Sequence, residues 1–226
     1  MKRDSTKEKQ YQITLRYRDE HGLEPLGLMT NQAWRDDPKR LAFTFARYKF
    51  VAKMLAGCEH VLEVGCGDAF ATRIVVQEVK RVTAVDFDPA FVEDVRARMG
   101  DRWRFECFTH DLLSAPVPGA FDGIYALDVL EHVQPADERS FLTNMVAPLT
   151  PHGTLIIGMP SLESQEYASE ISKQGHVNCK SMPELKRALL GFFHNVYMFS
   201  MNDEVVHTGY HKMAHYLIAL CCGKKA

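Results

Sequence analysis

The chain has 226 residues, 46% of them hydrophobic and 25% charged, with a formal net charge of −2. That length suits one domain with a small appendage and an ordinary core. The balanced charge gives no overall pull towards nucleic acid or an anionic membrane, and no uncharged apolar stretch is long enough to cross a bilayer.

The start, Met1-Lys2-Arg3-Asp4, leads to more charge rather than an apolar segment, so no signal peptide is expected. Residues 1–20 read as frayed or loosely helical. Residues 21–38 carry Gly22, Pro25, Gly27 and Pro38 and read as an irregular loop. Leu41, Phe45, Tyr48, Val51, Ala52 and Leu55 recur at three- and four-residue steps, which predicts a helix over 39–56 that stops at Gly57. Strands and helices then alternate. Strands are expected near 60–64, 81–86, 103–108, 121–126 and 153–158, and helices near 69–79, 89–98 and 136–147. Such alternation argues for a parallel sheet covered on both faces. After a further helix near 182–190, the runs Asn195–Met201 and His211–Cys221 follow one another without a helix between them. They read as an antiparallel strand pair at the sheet edge, with a final helix over 211–221 as the competitor.

The six cysteines (Cys58, Cys66, Cys107, Cys179, Cys221 and Cys222) form no C-x-x-C pair. They read as free thiols in a reducing cytoplasm, the expected location, rather than as a zinc site. His207, His211 and His215 are four apart, but Gly209 interrupts the helix face they would share, so no metal site is expected there.

The run Val61-Leu62-Glu63-Val64-Gly65-Cys66-Gly67-Asp68-Ala69 is an apolar strand that enters two glycines and then a helix start. Glycine lets backbone approach a ligand closely and adopt unusual dihedrals. The helix near 69–79 would offer free N–H groups at its start. Asp86 closes the second strand, 21 residues after Gly65, where a carboxylate accepts both ribose hydroxyls. Phe87 stands ready to cover an adenine face. Asp111, just after the third strand, is placed to accept from an adenine amine or to cap a helix. The fourth strand ends at Leu127, followed by Asp128, Glu131 and His132, where open α/β sheets bind ligands.

The motifs E-V-G-C-G-D, V-D-F-D-P, H-D-L and D-V-L-E-H-V, in this order, resemble the signature of the class I S-adenosylmethionine (SAM) methyltransferases over roughly residues 40–160. The resemblance implies a Rossmann-like, doubly wound α/β fold. Its seven-stranded sheet would be mostly parallel with an antiparallel last strand, and helices would lie on both faces. It implies a cover segment over 1–38 and a methyltransferase domain over 39–226. It also implies SAM as cofactor and S-adenosyl-L-homocysteine as product. Glu63, Gly65, Cys66 and Gly67 would lie along the methionine part, Asp86 would hold the ribose, and Phe87, Asp111 and Leu112 would border the adenine. Leu127 would place its backbone near the methionine amino group. Ala69 departs from the third glycine of the pattern.

Arg47 is expected either to pair with the SAM carboxylate or to lie on a solvated helix face. Trp34, His132 and His176 are the candidates for contact with the methyl acceptor, and the two histidines are candidate bases. A hydroxyl on a small polar molecule is the expected acceptor, a sugar or nucleotide sugar being one guess. Methylation of an amine, a protein or an RNA stays open as the alternative. A nicotinamide-dependent oxidoreductase and a nucleoside-binding module without catalysis are the more distant readings. The expected partner is the small-molecule acceptor, without nucleic acid or membrane insertion, and with a homodimer left open.

Overall fold

A computed structural model describes residues 5–225. Along the chain run α1 (Gln12–His21), α2 (Leu28–Asp36), α3 (Lys39–Met54), β1 (Val61–Val64), α4 (Thr72–Val76), β2 (Val82–Asp86), α5 (Pro89–Arg98), β3 (Glu106–Thr109) and β4 (Phe121–Leu127). There follow α6 (Glu138–Val146), β5 (Leu149–Pro160), α7 (Glu170–Gly175), α8 (Met182–Leu190), β6 (Phe193–Asn202), β7 (Val205–His207) and β8 (Tyr216–Lys224).

The strands form one eight-stranded sheet in the order β3-β2-β1-β4-β5-β8-β6-β7. From β3 to β5 every pairing is parallel, whereas β8 runs antiparallel to both β5 and β6. The sheet thus has eight strands rather than seven, because the short β7 turns back on β6 through Asp203, whose φ is +49°. The two terminal runs do pair, but not at the edge. The chain leaves β6 at Asn202, and β8 slots between β5 and β6. A final helix over 211–221 does not form. His211–Met213 is a single 3-10 turn, and the residues beyond it alternate between two cores.

Strict alternation sets the two faces. In β4, Ile124 and Ala126 pack with α6 residues Phe141, Leu142 and Met145 and with Leu185 and Leu189 of α8. Tyr125 and Leu127 point the other way, to Val51 and Ala52 of α3 and Val75 of α4. The parallel strands are buried on both faces, so they read in the sequence as near-continuous apolar runs.

Three helices depart from expectation, one of them the short α7, where none was expected. Residues 21–38, read as a loop, contain α2, which begins beyond the extended Gly27. No local side chain caps it. Its cap comes from 38 residues away, where Asp68 Oδ2 accepts from Thr30 N at 2.7 Å and Asp68 Oδ1 from Thr30 Oγ1 at 3.2 Å. The helix expected over 69–79 shrinks to α4, because Ala69 sits at φ +47° and delays its start to Thr72. The helix expected at 89–98 forms as read, with Asp88 capping and Pro89 at its start. No helix among the described residues is long and apolar enough to cross a membrane.

Candidate active site

The carboxyl ends of β1 and β4 and the helices α2, α3 and α7 enclose a cavity of about 440 Å³, a size that suits a small-molecule ligand. Gly65, Cys66, Gly67 and Asp68 form one wall, and Leu127, Asp128, Glu131 and His132 another. Met29, Thr30 and Ala33 of α2, Arg47 and Tyr48 of α3, and Ser172 and His176 at α7 close it.

The glycine turn is built by its own hydrogen bonds. Gly65 and Cys66 donate their amides to Val85 O, and Gly67 N donates to Asp86 Oδ2 at 2.8 Å. Gly65 adopts φ +70°, and a Cβ there would meet Val129 Cγ2 at 2.4 Å. The bare Cα is therefore needed first by the protein's own valine. Gly67, at φ +52°, would meet only the flexible end of Met29. The turn's amides are satisfied internally, and the expected free helix amides do not follow at 69, since α4 starts three residues later.

Glu63 does not reach the cavity. It is buried on the α3 side of β1, accepting from Tyr48 Oη at 2.7 Å and Thr72 Oγ1 at 2.6 Å. Burial pushes its pKa up to about 7, despite the bonds from Thr72 and Tyr48. It fastens α3 and α4 to the strand that carries the turn. Asp86 is buried at the end of β2. Beside its bond from Gly67 it accepts from Asp88 N at 2.9 Å. Phe87 projects outwards, 75% exposed. Asp111 folds its carboxylate into its own turn, accepting from Leu113 N and Ser114 Oγ, while the Leu112 side chain enters the core. These four residues lie beyond the cavity lining.

Arg47 lines the cavity from α3. Its guanidinium pairs with Asp128 Oδ2 at 2.7 Å and stacks over the Tyr216 ring at 3.7 Å. Asp128 is held at φ +57°, a conformation that aspartate tolerates better than most residues. The Nε of Arg47 is buried without a partner. Trp34, expected against the acceptor, is 57% exposed on α2 and does not line the cavity; Met29, Thr30 and Ala33 present that helix instead.

At the far end, Glu131 has 0% exposure, and neither carboxylate oxygen has a hydrogen-bond partner. Burial, reinforced by Asp128, pushes its pKa well above the usual carboxylate range. His132 and His176 stand with ring centroids 5.2 Å apart. Burial, and then His132, lower the pKa of His176, so its imidazole is neutral near pH 7. The sequence reading gave both histidines a role but placed Glu131 only within the ligand-binding end of β4, because its burial without a donor arises only in the folded chain. The three carboxy-terminal histidines do not converge. His207 spends its ring nitrogens on Asn202 and Gly209, and His215 accepts from Asp203 N.

The residues present suit a zwitterionic nucleoside that carries a sulfonium. The Glu131 oxygens, which have no donor, and the Asp128 carboxylate, already paired with Arg47, offer acceptors to a cationic group, and the orphaned Arg47 Nε complements a carboxylate.

A family model described as a methyltransferase domain matches residues 61–153. Over 123 residues the chain is 29% identical to a probable S-adenosylmethionine-dependent methyltransferase of Mycolicibacterium smegmatis, covering 53% of this chain and 46% of that protein. Over 142 residues it is 28% identical to a ubiquinone biosynthesis O-methyltransferase of Xanthomonas campestris pv. campestris, covering 60% of this chain and 59% of that one. The chain spans about half the length of the curated relatives it matches. Among solved structures, the N-methyltransferase NodS from Bradyrhizobium japonicum WM9, in complex with S-adenosyl-L-homocysteine, superposes with a TM-score of 0.61. It is 20% identical and covers 84% of this chain and 90% of that one, a likeness of fold alone.

Proposed function

We propose, from the premise that the chain carries a class I S-adenosylmethionine-dependent methyltransferase domain, that it methylates a hydroxyl of a small polar acceptor and releases S-adenosyl-L-homocysteine. The observation that carries this reading is one cavity in which the glycine turn, Leu127, Arg47, Glu131, His132 and His176 meet.

SAM supplies a methyl group already activated on positive sulfur, so the protein has mainly to align the acceptor and exclude water. Gly65, Cys66 and Gly67 flank the methionine part, and Arg47 receives its carboxylate. Leu127 lends its backbone to the amino group. Asp86 holds the ribose, with Phe87 laid over the adenine and Asp111 and Leu112 at its edge. The expected cover over 1–38, of which residues 1–4 lie outside the described residues, acts through the three α2 side chains that reach the cavity. His132 and His176 face the acceptor. A hydroxyl must lose its proton during transfer, and the neutral His176 ring beside them favours that acceptor class. A neutral amine would leave this arrangement idle.

Isothermal titration with SAM, S-adenosyl-L-homocysteine and NAD tests the reading. Micromolar binding of the first two, without NAD, is expected. Asp86→Ala should weaken SAM at least tenfold, since the ribose and the Gly67 amide both lose their acceptor. Preference for NAD, or unchanged SAM affinity in the variant, would overturn the assignment.

A further inference from the structure

We infer that Glu131, His132 and His176 form a binding site for one divalent first-row transition-metal ion at the acceptor end of the cavity. One ligand atom from each of the three lies within 4.8 Å of the others. Ligands held by bonds of about 2.0–2.2 Å stand about 3–4 Å from one another, so a small rotation of the exposed His132 closes the set.

Three independent features prepare these residues for an ion. The Glu131 carboxylate is fully buried, lines the cavity and has no hydrogen-bond partner for either oxygen. A buried acceptor without a donor is costly, and a cation would satisfy it. The histidines are oriented from behind. His132 Nδ1 stands 2.9 Å from Gly175 O, a pure acceptor, so Nδ1 carries the proton and Nε2 keeps its lone pair. His176 Nδ1 stands 2.8 Å from Gln165 Oε1, and Gln165 Nε2 donates to Ser161 O at 3.2 Å, which fixes the amide so that its oxygen faces the ring. His176 is therefore held in the same tautomer. Oxygen acceptors behind Nδ1 orient metal-ligating histidines in this way. Two imidazoles and one carboxylate suit an ion such as Mn²⁺, Fe²⁺, Co²⁺ or Zn²⁺ and leave positions open. Those positions face the cavity, where an acceptor oxygen completes the set.

The inference deepens the proposed function, making His176 an ion ligand in place of a base, and rests on it only for the acceptor. Its test therefore measures ion binding with neither SAM nor acceptor present. Tag-free full-length chain, stripped with a chelator, is titrated with Mn²⁺ by electron paramagnetic resonance and with Co²⁺ by visible absorption. One ion per chain is expected. Glu131→Gln should bind at least tenfold more weakly while melting as the wild type does. Gln165→Leu, which removes only the partner behind His176, should lose about tenfold. His207→Ala, outside the site, should bind as the wild type does. Absence of Mn²⁺ and Co²⁺ binding by the wild type, or wild-type affinity in Glu131→Gln, would overturn the site and leave methyl transfer untouched.

Discussion

Gly27 and Asp68 touch because Gly27 has no side chain: a Cβ there would lie 2.4 Å from Asp68 Oδ2. That approach lets the Asp68 carboxylate accept from Thr30 N and cap α2 across 38 residues of sequence. Asp68 belongs to the glycine turn and α2 lines the cavity beside it, so a single carboxylate joins two of its walls.

Gly27→Ala should therefore loosen α2 rather than unfold the domain. Crowding of this kind costs about 1–3 kcal/mol. Hydrogen exchange should show faster exchange over residues 28–36, with β1 and β4 protected as before. Unchanged protection of α2 would mean that Asp68 does not hold it.

Glu63 makes stability depend on pH in a definite direction. Its folded-state pKa is raised to about 7 from an ordinary value of 4.5, so between those values the folded chain holds a proton that the unfolded chain releases. Stability thus falls as pH rises through this window, by about 3 kcal/mol in total. Glu63→Gln cannot ionise. Urea denaturation at pH 5 and pH 8 should show the variant gaining on the wild type as pH rises. A constant difference between the two proteins would refute the shift.

Ala69 stores strain at φ +47° on the floor of the turn. A left-handed conformation costs an L-residue about 1–2 kcal/mol, and loss of one buried methyl costs about 0.8 kcal/mol. Ala69→Gly should therefore stay within about 1 kcal/mol of the wild type. Ala69→Val adds a branched side chain at the same positive φ in a buried position, and should cost about 2–3 kcal/mol. Equal stabilities of the two variants by thermal melting would show that the backbone there is relaxed.

Strands β1 and β2 were legible because burial on both faces leaves mostly apolar runs, Val61–Val64 interrupted only by Glu63 and Val82–Asp86 only by Thr83 and its closing acid, and α5 because Asp88 and Pro89 mark its start locally. The glycine turn and Asp86 were legible too, as residue types at a fixed spacing along one βαβ unit. Other features depended on partners far along the chain. The cap of α2 comes from Asp68, the seat of β8 lies between two earlier strands, and Arg47 takes its charge partner from the end of β4. Glu131 shows the same limit: the D-V-L-E-H-V run places it after β4 without giving it a role, and only the closing of the sheet and helices around it removes water and leaves both oxygens without donors. Local sequence sets backbone preference and apolar period, whereas desolvation and long-range pairing arise from elements that meet only in the folded chain.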